Sequence, residues 1–312
     1  MSIRNYQPGD EGAQVAIYNE AASGLPAFKP ATVDEIRRRT VSPKKDRTTR
    51  FFALENGAPV GYIACQTNGR VGYPWCRKGA EHHQEALLNH ALEHLKSENR
   101  PRAFSALRGD WEPLAELLLN HGFEQNREML NFQMNLFEMP TASPMTRQQF
   151  DRMKASDFDE VLELARSTAL FATDEEIRET WLSNPWLDCE DLFILRNHRT
   201  GQIDAVGVVV LNPSYADNSN LDHNMPCFRL GAFGTEGLTW KRINGLFSFL
   251  VRDPNQVSPL GLDLLKHVSA ILDETDLSTV AAQVCSDAKH LVHFYRQYFE
   301  PQGSFPLYEI EL

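Results

Sequence analysis

The sequence predicts an α/β (α+β) protein made of two domains in tandem. Three observations lead there. The chain has 312 residues, more than one typical domain and suited to two of about 150 each. The expected elements come in one order (strand, helices, a meander of strands, helix, strand, helix, strand), and that order then occurs a second time. Between the two runs lies Glu138-Met139-Pro140-Thr141-Ala142-Ser143-Pro144-Met145, where small polar residues and prolines interrupt the periodic patterns on both sides. The expected division is a first domain at 1–139, a linker at 140–146 and a second domain at 147–312.

In the first half, Ile3–Tyr6 reads as a short strand, and Pro8-Gly9-Asp10 turns into a helix near Glu11–Ala22 with Ala13, Val15, Ala16, Ile17 and Tyr18 on its apolar side. A basic helix follows at Val33–Thr40. Arg50–Leu54 and Val60–Gln66 read as strands joined at Glu55-Asn56-Gly57-Ala58, a hairpin turn by its Asn-Gly pair. A helix from about Glu81 to Glu98, a strand at Arg102–Leu107, a helix at Glu112–Asn120 ending on Gly122 and a strand at Asn131–Leu136 complete it. In the second half, Phe150–Met153 precedes a helix near Asp157–Ser167. Leu192–Arg196 and Ile203–Leu211 pair across a turn at His198–Gly201, and Cys227–Phe233 and Arg242–Val251 read as further strands. A turn at Gln256, a helix to about Leu272, a strand at Thr279–Cys285, a helix at Ala288–Phe299 and a strand at Leu307–Leu312 follow.

Apolar residues make up 42% and charged residues 23%, the balance of a packed globular protein. No apolar run approaches the roughly 20 residues that span a bilayer, and Met1–Tyr6 lacks the apolar stretch of a signal peptide. Cys65, Cys76, Cys189, Cys227 and Cys285 are dispersed, which suits reduced thiols and a cytoplasmic location. Residues 1–140 hold 17 basic and 17 acidic side chains, so the whole net charge of −11 falls in 141–312. Such a half is a poor partner for nucleic acid and a fair one for a cationic substrate; an acidic surface also simply aids solubility.

The stretch Val251-Arg252-Asp253-Pro254-Asn255-Gln256-Val257-Ser258-Pro259-Leu260-Gly261 runs from an apolar strand into a turn and then a helix. A strand that stops at a small-residue turn and opens a helix presents unpaired N–H groups where the helix dipole favours an anion. Its spacing, Gln-x-x-Pro-x-Gly, resembles the pyrophosphate loop of the GCN5-related N-acetyltransferases, usually Gln/Arg-x-x-Gly-x-Gly/Ala. With the repeated order of elements, the chain resembles a tandem pair of such domains. The resemblance implies that each domain is a mixed, mostly antiparallel central sheet flanked by helices. It implies acetyl-CoA as donor, held by Leu250, Val251, Gln256, Val257, Ser258, Leu260 and Gly261, with the pantetheine arm in a gap beside the preceding strand. Pro259 departs from the pattern at the usual first glycine and cannot donate an N–H. In the first half, Cys76-Arg77-Lys78-Gly79-Ala80-Glu81 stands in the equivalent place, with Cys76 for Gln/Arg and Glu81 for the last small residue. A carboxylate beside a diphosphate is unfavourable, so the first copy is expected to bind the donor poorly.

Acetyl transfer to an amine needs a base for the amine proton and often an acid for the leaving thiolate. The family's acid is frequently a tyrosine on the helix after the fifth strand; Tyr295 matches it best, with Tyr298 as alternate, and an aromatic face packed in the core is the competing reading. Leu118 stands at that place in the first half. Glu236, in Gly231–Gly237, is the expected base, with Asp222 or His223 as substitutes. His82, His83, His90 and His94 share the first long helix, but no Cys pair or carboxylate motif completes a zinc set, so a polar helix face and no metal are expected. Asp217–Asp222 lacks the glycine and terminal Glu of a calcium loop. The expected function is transfer of an acetyl group from acyl-CoA to an amine, small-molecule or peptide and cationic if the acidic half selects it. No nucleic acid or membrane partner is expected. The alternative is a non-catalytic CoA-sensing or partner-binding protein on the same scaffold. A peptide-ligating transferase using charged tRNA is disfavoured by the acidic second half.

Overall fold

A computed structural model of the protein describes residues 2–26, 28, 30–40, 48–139, 150–166, 178, 191–210, 247–273 and 279–312. The linker expected at 140–146 and the strand at Cys227–Phe233 lie outside the described residues. The chain forms two compact units: Met1–Glu128 with Ser304–Leu312, and Met129–Gly303.

In the first unit, β1 (Ser2–Asn5), β2 (Thr48–Glu55), β3 (Ala58–Gln66) and β4 (Trp75–Cys76) form an antiparallel sheet in that order. The β2–β3 hairpin turns at Asn56 (φ 49°) and Gly57 (φ 81°), the left-handed pair that a two-residue turn of matching twist requires. Helices α1 (Glu11–Ala22), α2 (Val33–Thr40), α3 (Gln84–Ser97) and α4 (Glu112–Asn120) belong to this unit. The stripe Leu87, Leu88, Ala91 and Leu95 buries α3 against Phe51, Ile63 and Cys65. In α1 the buried residues are Gln14, Ile17 and Ala22, while Ala16 is exposed. The helix thus faces the sheet through a narrower stripe than its apolar residues suggest. β5 (Arg102–Ala106) pairs antiparallel with the end of the chain, from Arg102 opposite Glu311 to Ala106 opposite Leu307.

In the second unit, β7 (Asp151–Arg152), β8 (Leu192–Arg196), β9 (Ile203–Val209) and β10 (Phe247–Val251) form an antiparallel sheet in the order β10-β9-β8-β7. Around it lie α5 (Phe158–Arg166), α6 (Val257–Asp273) and α7 (Lys289–Tyr298). β11 (Thr279–Cys285) pairs antiparallel with the end of β6 (Glu124–Asn135), from Thr279 opposite Asn135 to Cys285 opposite Met129. Gln283 Nε2 donates to Asn131 Oδ1 across this pair at 2.8 Å, which gives the buried Asn131 amide oxygen a partner. The core is rich in rings: Phe132, Phe193, Phe247, Phe249, Phe294 and Tyr295 are all buried.

The expected final strands, Asn131–Leu136 and Leu307–Leu312, belong to longer strands, β6 and β12 (Glu300–Glu311). The chain passes from the first unit to the second within β6 and back within β12. The strand ending the first half therefore completes the second unit, and the strand ending the chain completes the first. Among the described residues, no helix is long and apolar enough to cross a membrane.

Candidate functional site

Among the described strands, each unit opens its sheet between the fourth and the fifth, counted from β1 and from β7. In the first, Val71 N donates to Phe104 O and Phe104 N to Gly69 O, so the strand entering β4 starts beside β5 in parallel. Trp75 and Cys76 then pair with Tyr62 and Gly61 on β3, and among the described residues β4 has no ladder to β5. Trp75 on β4 and Trp111, just before α4, meet edge to face with centroids 6.2 Å apart, and Tyr73 and Tyr18 pack on Trp75 at 4.9 and 5.1 Å. In the second unit, β10 and β11 are close neighbours with no ladder between them: β10 pairs with β9, and β11 with β6. A gap of this kind leaves strand backbone open to pair with an extended ligand arm.

At the end of the first gap, residues 77–80 form a turn with Gly79 at φ 87°. Two amides of this turn point to carboxylates of the same chain. Lys78 N donates to Glu20 Oε1 at 3.0 Å and Gly79 N to Glu81 Oε2 at 2.7 Å. Arg77 Nη1 adds a 2.8 Å bond to the other Glu20 oxygen. Two acidic side chains thus occupy the positions where this turn would meet an anionic ligand. Cys76 is buried, and burial pushes its thiol up to about 12, which disfavours the thiolate.

At the end of the second gap, the expected turn is helical. A 3-10 turn at Pro254–Gln256 runs directly into α6 at Val257. Asp253 caps it: Asp253 Oδ1 accepts from Asn255 N at 3.0 Å, Asp253 O accepts from Gln256 N at 2.9 Å, and Pro254 O accepts from Val257 N. These first-turn amides are therefore engaged within the chain. Pro259 is the third residue of α6, early enough in the helix for its fixed φ to fit. Gln256 is exposed, Ser258 half-buried, and Val257 and Leu260 are core residues. Gly261 is buried, and a Cβ there would meet Phe294 Cζ at 2.6 Å and Phe249 Cε1 at 3.1 Å, so the position lets α6 approach α7. Leu250 is buried opposite Val206, and Val251 is half-buried opposite Ala205. The guanidinium of Arg252 is held by Ile203 O at 3.0 Å and lies 3.5 Å from Glu160 on α5.

Tyr295 is 1% exposed and walled by Phe132, Phe294 and Phe299 at centroid distances of 5.1–5.5 Å, with Phe247 at 6.2 Å. Tyr298, a turn later, is half-buried against Phe294. Glu236, Asp222, His223 and Asp217–Asp222 lie outside the described residues. His90 and His94 flank the ring of Phe51, whereas His82 and His83 both turn to Glu55. The sequence does carry a sign of the Asp253 cap, since Asp before Pro is a familiar helix start. Glu20 and Glu55 carry no such sign, being far along the chain from the groups they meet.

No family model matches the sequence, and no curated protein is significantly similar to it. Solved structures do match. A GCN5-related N-acetyltransferase from Sphaerobacter thermophilus superposes with a TM-score of 0.64 at 14% identity, over 99% of this chain and 95% of the other. A tandem protein of the same class from the clavulanic acid biosynthesis pathway superposes with a TM-score of 0.57 at 14% identity, over 99% and 98%. The chain has the tandem GCN5-related N-acetyltransferase fold. Both matches run almost end to end along this chain, and so span both of its units.

Proposed function

We propose that the protein is an acyl-CoA-dependent N-acetyltransferase whose acceptor is a small-molecule or peptide amine and whose donor lies in the second unit. The observation that carries this reading is the break between β10 and β11, which ends at the N-terminus of α6. An extended pantetheine arm would pair with the free edge of β10, and its pyrophosphate would face the first turn of α6 near Gln256 and Ser258. Asp253 would have to release Asn255 N for that contact. The first unit would serve as a supporting copy, because Glu20 and Glu81 already occupy two amides of its turn. The reaction forms a C–N bond and breaks the thioester C–S bond. Glu236 would take the amine proton, and Tyr295, or Tyr298 if Tyr295 stays in its ring cluster, would protonate the thiolate. The acidic second half suits a cationic acceptor.

The non-catalytic reading has its own support in the burial of Tyr295 and the engaged amides of the 3-10 turn that leads into α6. Calorimetric titration of acetyl-CoA into wild type, Gln256→Glu and Lys78→Glu separates the possibilities. Gln256 is exposed and near-isosteric with Glu, and an acid in a first helical turn does not weaken the helix, so lost binding there reports repulsion of the pyrophosphate. Loss in Gln256→Glu alone supports the second-unit site; loss in Lys78→Glu alone moves the donor to the first unit. Absence of wild-type binding sinks both the enzyme and the CoA-sensing readings. Release of free CoA in the presence of amine pools then distinguishes turnover from sensing.

A further inference from the structure

We propose that Glu55, His82 and His83 form a site for a first-row divalent cation of the zinc type. Glu55 ends β2 at the hairpin turn, and His82 and His83 lie in the 3-10 turn Glu81–His83 that follows Gly79 and leads into α3. The two imidazoles converge on one oxygen: Glu55 Oε1 lies 2.5 Å from His83 Nε2 and 3.1 Å from His82 Nε2. The rings sit 4.0 Å apart, and the three candidate ligand atoms all lie within 4.8 Å of one another. Around a tetrahedral zinc with bonds of 2.0–2.1 Å, ligand atoms are about 3.3 Å apart. The His82–Glu55 separation nearly matches that spacing, and the His83–Glu55 pair reaches it by opening about 0.8 Å.

The burial of the three side chains suits an entry path. The His83 side chain is 4% exposed, whereas His82 is 62% exposed and forms the solvent-facing side of the cluster. Two imidazoles and one carboxylate select zinc, cobalt, nickel or copper over magnesium and calcium, which prefer all-oxygen shells. Three protein ligands leave a fourth position for water. The ion would tie the β2–β3 turn to the start of α3 and so stiffen the turn at 77–80. A plain His–Glu hydrogen-bond cluster is the competing account, and it predicts no metal affinity.

Co2+ is titrated into the full chain and followed by visible d–d absorption, with Zn2+ as competitor and thermal unfolding as a second readout. The expected result is one saturable equivalent of Co2+, displaced by Zn2+, and a rise in Tm of about 3–5 °C at a tenfold excess of Zn2+ over its Kd. His82→Gln and Glu55→Gln, both at exposed side chains, should each bind at least about tenfold more weakly. They should keep the metal-free Tm, so that loss of binding is not loss of fold. His90→Gln should bind as wild type does. No saturable signal in wild type, or unchanged binding in His82→Gln and Glu55→Gln, overturns the site.

Discussion

Gly261 shows how far a residue's role depends on its neighbours. In sequence it closes a phosphate-loop pattern; in the structure it sits inside α6 with Phe294 and Phe249 against its missing Cβ. Gly207 on β9 has the same relation to Leu264, whose Cδ2 would lie 2.0 Å from an added Cβ. Both residues let α6 seat closely on its neighbours. Gly261→Ala should therefore destabilise the second unit by about 1–3 kcal/mol through overpacking, despite the higher helix propensity of alanine. Denaturant unfolding checks this, and a neutral or stabilising effect would contradict the packing role. Tyr295 was legible as one residue of an aromatic helix face, but its enclosure by Phe132, a residue 163 positions away by the numbering, was not. Ring contacts of that kind arise only when the chain brings distant segments together.

At the scale of elements, periodicity located most helices and strands because their buried faces recur at fixed intervals. Glu112–Asn120 and Thr279–Cys285 have the expected bounds, and the Asn56-Gly57 turn has the expected geometry. The start of α6 differs, because a 3-10 turn at Pro254–Gln256, capped by Asp253, stands where an open turn was expected. The join of β1 to α1 illustrates a tie the sequence did not reveal. Asp10 accepts two bonds from Arg4, at 2.7 and 2.8 Å, and one from Gln7 N at 2.7 Å. The Arg4 bond is the main cause that holds the Asp10 carboxyl below its ordinary 3.8, with the Gln7 amide adding to it against burial. A carboxylate with a lowered folded-state pKa stabilises the protein above its unfolded pKa, and this is lost as pH falls through the folded value. Asp10→Asn should cost about 1–3 kcal/mol near neutral pH. It should also flatten the fall in stability below about pH 4, as read from urea unfolding across pH. An unchanged acid limb would remove Asp10 from the account.

For the whole molecule, the exchange of terminal strands makes each unit depend on a distant part of the chain. Ser304–Leu312 forms the partner of β5, and Leu307 and Tyr308 are buried. A chain ending at Gly303 should leave β5 with an unpaired edge and the core beside Tyr308 open, so the first unit should lose cooperative unfolding and become sensitive to protease. The second unit, whose division includes Met129–Gly303, should keep its own transition. Differential scanning calorimetry and limited proteolysis test this, and a first unit that still melts cooperatively without residues 304–312 would refute it. The sequence by itself determined the α/β class, the doubled order of elements and the strand-to-helix junctions at Cys76–Glu81 and Val251–Gly261, because these depend on local spacing and turn chemistry. Only the tertiary structure decided which strand completes which unit and which carboxylates meet the turn amides. It alone brought Glu55 to the histidines that follow Gly79. Those choices rest on contacts between residues far apart in the chain, and local periodicity carries no record of them.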